Sequence, residues 1–157
     1  MRNELDLIDI RLLEELQRDA DRSNVELARL VGLSPAATLN RVKRLKQTGI
    51  IRAIVAQIDS AAAGFPLQVY VAIELRQHND DAHRRFADAI REMPEVIHAD
   101  WVTGETDAML VVVAREVGEL QRVLVRLSTR GGAARVTTLL RLEELKRTAP
   151  LPLDAPR

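Results

Sequence analysis

The chain has 157 residues, 29% of them charged and 46% hydrophobic, with no cysteine. That composition supports one ordinary globular domain or two small ones and excludes wholesale disorder, disulfides and thiolate metal sites. Formal net charge is zero, so attraction to a polyanion has to rest on how charge is distributed rather than on its sum.

Leu5, Ile8, Leu12 and Leu16 recur at three- and four-residue spacing and predict a first helix over about 7–19. Asp19-Ala20-Asp21-Arg22 breaks it. Ser23 and Glu26 stand at capping-box spacing and open a second helix, which Gly32 ends. Ser34-Pro35 is a further start signal, a cap followed by proline in the first turn, where no amide is needed. The third helix runs to about Thr48 and stops at Gly49. Two short helices joined through Val31-Gly32-Leu33-Ser34 make a helix-turn-helix. Residues 50–58 alternate weakly, as a small β-wing or a linker strand. Asp59 to Pro66, with three alanines, Gly64 and Pro66, is the best domain boundary.

Beyond it the period changes. Leu67, Val69, Val71, Ile73 and Leu75 alternate with polar or small residues, as a half-buried strand does. Asn79-Asp80 starts a helix that Pro94 ends. Strands follow over 96–103 and 108–114, separated by a tight turn at 104–107. A helix over about 118–129 and a last strand over 136–145 complete the order βαββαβ, the ferredoxin-like plan. The fold class expected is therefore α+β, a winged or wingless helix-turn-helix followed by a ferredoxin-like unit. The divisions are 1–58, a linker at 59–66, the sheet domain at 67–147 and a proline-rich tail at 148–157, frayed or extended. Two helices cover one face of such a sheet, and a second copy of the chain is the simplest cover for the other, so a homo-oligomer is expected. No run reaches the roughly 18–20 apolar residues of a membrane helix. The start, Met1-Arg2-Asn3-Glu4, has no secretory apolar stretch, so the expected compartment is the cytoplasm.

Charge is distributed unevenly. Residues 4–26 hold eight acids against three bases, whereas residues 27–58 hold no acid and six bases: Arg29, Arg41, Lys43, Arg44, Lys46 and Arg52. Such a stretch is an electrostatic footprint for double-stranded DNA. On the third helix, Thr38, Val42 and Leu45 share the inward face. Ser34, Pro35, Ala36, Ala37, Asn40, Arg41, Lys43 and Arg44 are left at the helix start or facing outward. Ala36 and Ala37 suit thymine methyls, Asn40 suits adenine, and Arg41 or Arg44 suits guanine or phosphate. Lys43, Lys46 and Arg52 suit positioning on phosphate. The blander interpretation is a solvated basic helix face, which the cap, the turn and the acid-free stretch outweigh.

In the second half, Thr103-Gly104-Glu105-Thr106-Asp107 lies between two strands. Gly104 lets backbone amides approach a carboxylate, Asp107 suits an α-ammonium group, Thr138 offers a hydroxyl, and Glu105 stands at the mouth. Spacing alone favours an ordinary hairpin turn in which Asp107 bonds its own backbone. His78, His83 and His98 are scattered, without metal-ligand spacing, and suit a solvated surface better than a metal. Trp101 suits core or interface better than a stacking platform. No catalytic arrangement stands out, and no cofactor is expected.

Leu5-Asp6-Leu7-Ile8-Asp9, Glu26-Leu27-Ala28, Val31-Gly32-Leu33-Ser34-Pro35, Arg41-Val42-Lys43-Arg44-Leu45 and Gly49-Ile50-Ile51 run through the first half. With Thr103-Gly104-Glu105-Thr106-Asp107 and Glu143-Glu144-Leu145-Lys146, they make a chain that resembles the Lrp/AsnC (feast/famine) regulators from about residue 5 to 147. The resemblance implies a transcription regulator, not an enzyme, whose 103–107 turn takes an amino-acid-type effector. It reverses the bland interpretation of that turn. Departures from the family pattern are Asp21-Arg22 before the second helix, Ala108 where an aromatic is usual and which would enlarge the pocket, Val136 in place of one threonine, and Gly131 where a proline is common. Two other classes stay open: an architectural DNA binder whose sheet domain only oligomerises, and an enzyme like the tetrapyrrole decarboxylases that resemble this fold.

Overall fold

The computed structural model describes residues 5–146 and 148–153, so the ends of the sequence-defined first domain and tail, 1–4 and 154–157, lie outside it. It opens with α1 (Leu7–Arg18), α2 (Asn24–Val31) and α3 (Pro35–Gln47). Asp6 caps α1: its Oδ1 accepts from the amides of Ile8 at 2.9 Å and Asp9 at 2.8 Å. Ser23 and Glu26 form the expected reciprocal box at the start of α2. Gly32, at φ 69°, ends that helix in the left-handed conformation a side chain would resist. Leu12, Leu27 and Val31 form the seam of the three helices, flanked by Ile8, Leu16, Leu33 and Val42. Thr38 and Leu45 of α3 are buried as their spacing predicts. Residues 52–59 take no regular secondary structure, so the wing or linker strand drawn from their weak alternation does not form. Their side chains are exposed and lack the packed face that would fix a strand.

The remaining elements are β1 (Leu67–Leu75), α4 (Asp80–Arg91), β2 (Val96–Trp101), β3 (Ala108–Ala114), α5 (Val117–Thr129) and β4 (Ala133–Leu140). They form one sheet in the order β2-β3-β1-β4, with every pairing antiparallel. This is the βαββαβ arrangement read from the sequence. Three strand bounds differ, on two strands. β4 begins at Ala133 rather than at residue 136, because Gly132, at φ 74°, turns straight into the pairing and an irregularity at Glu74/Leu75 sets Ala133 opposite Leu75. It ends at Leu140, beyond which Leu142 and Leu145 are exposed. β2 stops at Trp101 because the Val102 amide already closes the turn onto the Asp107 carbonyl at 2.9 Å.

The core lies on the helix side of the sheet. Val69, Val71, Ile73 and Leu75 of β1 meet Leu110 and Val112 of β3 and, from the helices, Phe86, Val123 and Leu127. Ala108 belongs to this core, so its small size opens no room beside the 103–107 turn. Val136, likewise, is packed against the core. Tyr70, Val111 and Leu139 share the opposite face by register, and Tyr70 and Leu139 are 41% and 51% exposed.

By its internal contacts the chain divides into two compact units. One comprises Met1–Ala56 with Lys146–Arg157, the other Gln57–Leu145. Within the first, the tail bonds back to α1. The Leu151 amide donates to Gln17 Oε1 at 2.6 Å, and Gln17 Nε2 donates to the Leu151 carbonyl at 3.4 Å.

Gly131 is buried, and a Cβ there would stand 2.6 Å from the Leu127 carbonyl and 3.1 Å from the Phe86 ring. Gly131→Ala is therefore expected to cost about 1–3 kcal/mol, read as a lowered thermal midpoint. Gly131→Pro would move the same carbon into the same contact and is expected to do no better.

Candidate functional site

Two regions gather the residues singled out in the sequence. The first is α3. Ser34 Oγ accepts from the Ala37 amide at 3.2 Å, and Pro35 occupies the first turn. Asn24 Nδ2 donates to the Pro35 carbonyl at 2.7 Å, pinning the start of α3 to the start of α2. Ser34, Pro35, Ala36, Asn40, Lys43 and Lys46 are exposed, and Ala37 is half-buried. Arg52 is exposed in the irregular segment beyond the helix.

Arg41 and Arg44 are engaged elsewhere. Arg41 Nη1 donates to Asp6 Oδ2 at 2.5 Å and to Asp9 Oδ1 at 3.0 Å, while Arg44 Nη2 pairs with the other oxygen of Asp9. The Asp9 side chain is only 1% exposed. These pairs fasten α3 to the first turn of α1. Arg41 is half-buried and its guanidinium is turned toward α1, not to the outside, whereas the Arg44 side chain remains 52% exposed. The hydrogen bond from Arg41 is the main cause that holds the Asp6 carboxyl below its ordinary range, and Asp6 and Asp9 in turn strengthen the hold of Arg41 on its proton. Among the described residues no acid pairs with Lys43, Lys46 or Arg52, so the uncompensated positive charge of this region sits there.

The second region is the turn between β2 and β3. Thr103, Gly104 and Glu105 are exposed, with Gly104 at φ 121°. Asp107 is half-buried, and its amide donates to the Ile73 carbonyl at 2.9 Å. Its carboxylate does not fold back onto its own turn. Oδ2 accepts from the Leu75 amide at 2.7 Å and lies 3.1 Å from His78 Nε2. His78, which the sequence left on the surface, thus belongs to this corner. Thr138 does not: it pairs with Val71, four residues back from Leu75 and about 13 Å along the strand. One copy of the chain does not bring Thr138 and Asp107 together. Trp101 is half-exposed beside the turn, its ring 4.8 Å from His83 and 5.5 Å from Phe86.

Comparison with known proteins finds two family matches. Residues 5–46 match the AsnC-type helix-turn-helix domain, and residues 68–151 match the Lrp/AsnC ligand binding domain. The leucine-responsive regulatory protein of Rhizobium meliloti is 35% identical over 147 residues, 93% of this chain and 94% of that protein. Among solved structures, a transcriptional regulator of Neisseria meningitidis in complex with L-methionine superposes with a TM-score of 0.88. It is 34% identical and covers 96% of this chain and 98% of its own. A feast or famine regulatory protein of Mycobacterium tuberculosis, also complexed with L-methionine, gives a TM-score of 0.85 at 30% identity, covering 98% of this chain and 100% of its own.

Removal of Asp9 leaves Arg44 without its acid and Arg41 with Asp6 alone, so Asp9→Ala is expected to lower stability by about 1–2 kcal/mol in urea unfolding. Lys43→Ala, at an exposed position without a partner, is expected to stay within about 0.5 kcal/mol of the parent. Because the Asp6 carboxyl is held below its ordinary value of 3.8, its contribution is fully present above that pH and fades on acidification through the lowered value. An Asp6→Asn chain is expected to lose that part of the acid sensitivity.

Proposed function

Because the chain belongs to the Lrp/AsnC family of transcription regulators, we propose that α3 reads operator DNA and that the 103–107 turn receives an amino-acid effector. The observation that carries the first part is the outer face of α3, exposed, free of acid and fastened to α1 from behind. Ala36, Ala37 and Asn40, with Ser34 and Pro35 at the helix start, stand where a recognition helix reaches base edges. Lys43, Lys46, Arg52 and the exposed flank of Arg44 supply phosphate contacts, while Arg41 holds the helix rather than the DNA. The open sheet face, with Tyr70 and Leu139 exposed, supports pairing of two copies, which would present two recognition helices to a pseudo-palindromic site. Among the described residues no helix is long and apolar enough to cross a membrane. A DNA-reading role places the chain with the DNA, in the cytoplasm. Its relatives are named as regulators, which supports a sensor rather than a catalyst.

For the effector, the exposed amides around Gly104 suit a carboxylate and Asp107 suits an ammonium group. Neighbours in the family are solved with L-methionine, which supports an amino acid as the class. Thr138 joins the effector only where a second copy of the chain brings its β4 to the turn. One observation favours a purely architectural role for the sheet unit: Asp107 already serves the Leu75 amide and His78. An incoming ammonium group has to share or displace His78.

On a duplex selected from a random library, Lys43→Ala and Lys46→Ala are each expected to reduce the salt slope of log affinity by about one. Asn40→Ala is expected to weaken the selected duplex by about 1–3 kcal/mol without changing that slope. Unchanged affinity in all three variants would remove α3 from the interface. Thermal melting against the twenty amino acids tests the sensor. A ligand at about 100 times its dissociation constant adds roughly 2.7 kcal/mol of stability, a shift that Asp107→Ala should abolish. Twenty flat melts would leave the architectural role.

A further inference from the structure

The sheet unit holds ten arginines, and ion pairing sorts them. Arg84, Arg91, Arg115, Arg122, Arg126, Arg135 and Arg141 each have a carboxylate within 4 Å. The other three, Arg76, Arg85 and Arg130, have none among the described residues, and these same three line one small cavity. Its remaining walls are Leu75, Gln77, Ala82, Gly131 and Gly132, without an acid among them. Two larger cavities among the described residues mix arginines with glutamates or aspartates and are compensated from within.

Three exposed arginines thus line one cavity without a counter-charge, and hydrogen bonds hold one of them in place. The Arg76 amide donates to the Gly132 carbonyl at 3.2 Å, and Arg76 Nε donates to the Ala133 carbonyl at 3.3 Å. Those bonds lay the side chain across the corner where α5 ends and β4 begins. Ala82, in the first turn of α4, adds to the wall, its amide already bonded to Asn79 Oδ1 at 2.8 Å. Of the acids nearest in sequence, Glu74 pairs with Arg135 and Asp81 with Arg84, while Asp80, in the first turn of α4, is not among the lining residues. Arg130 also stands at the negative end of α5, which accounts for one guanidinium but not for Arg76 or Arg85.

We propose that this cavity is a binding site for a compact, multiply charged oxyanion, a phosphate or a small dicarboxylate, separate from the effector turn. A volume of about 180 Å³ corresponds to roughly six waters, which is room enough for either anion. Guanidinium forks match both in planar, bidentate geometry. The site goes beyond the effector reading and does not rest on it.

The test is titration calorimetry of the full-length chain in a low-salt chloride buffer, with inorganic phosphate and with malonate as probes. At least one is expected to bind with a dissociation constant near or below about 1 mM, and Arg85→Gln and Arg130→Gln are each expected to weaken it about tenfold. Arg84→Gln, on the same helix but ion-paired, should leave it unchanged, and each variant is first checked for a parental melting profile. Binding of phosphate alone identifies a phosphate site, and binding of malonate alone a carboxylate site. Absence of binding by both overturns the proposal. So does binding that all three variants weaken alike, since that is unspecific screening.

Discussion

A buried carboxylate organises the N-terminal unit. Asp9 is enclosed between α1 and α3 and holds a guanidinium on each oxygen, one from Arg41 and one from Arg44. A charge taken out of water has to be met by opposite charge in fixed positions, so the geometry of these bonds fixes the rotation of α3 about its axis. That rotation decides which side chains point outward. The same residue accepts from the Asp6 amide and completes the first turn of α1, so helix initiation and helix orientation depend on one side chain. Two of the six bases in the acid-free stretch are thereby engaged in architecture, and the remaining outward charge lies along Arg29, Lys43, Lys46 and Arg52, with the exposed flank of Arg44.

β1 plays the corresponding part in the sheet unit. It is flanked by β3 on one side and β4 on the other, and its alternate residues supply the middle of the core. Its C-terminal end is where the chemistry collects. The Leu75 amide is held by Asp107, and Leu75 and Arg76 begin the wall of the arginine-lined cavity. Two neighbouring spots of opposite electrostatic character thus share one strand end, kept apart because the Asp107 carboxylate is already engaged with an amide and an imidazole.

Elements and topology were legible in the sequence because local signals and periodicity agreed: capping boxes, Ser-Pro starts, glycines past helix ends, and a change of period from helical to alternating. What was not legible is pairwise. Asp6 and Asp9 read as an acidic helix start and Arg41 and Arg44 as an outward basic face, and nothing local says that the two sets meet across more than thirty residues. His78 was set aside for lack of metal-ligand spacing, although its partner is a carboxylate from a distant turn. Ala108 and Thr138 were assigned by resemblance to one pocket, yet the register puts the first in the core and the second well along β4. The strand bounds failed where backbone conformation decides, at Gly132 and at the irregularity beside Leu75, since a pattern of apolar residues carries no record of a bulge.

The tail that returns to α1 closes a long loop of the chain through hydrogen bonds. Its last segment belongs with the N-terminal helices, so the sheet unit is an insertion within the other unit rather than an appendage to it. The inserted unit closes on itself, because Gln68 and Arg141 are hydrogen-bonded neighbours where β1 starts and β4 ends. Once folded, it acts on the helical unit as a cross-link spanned by roughly fifteen connecting residues instead of the whole insertion. The loop-closure entropy for docking the tail falls by about 1.5 kcal/mol. The helices therefore gain stability from a neighbour through chain connectivity alone.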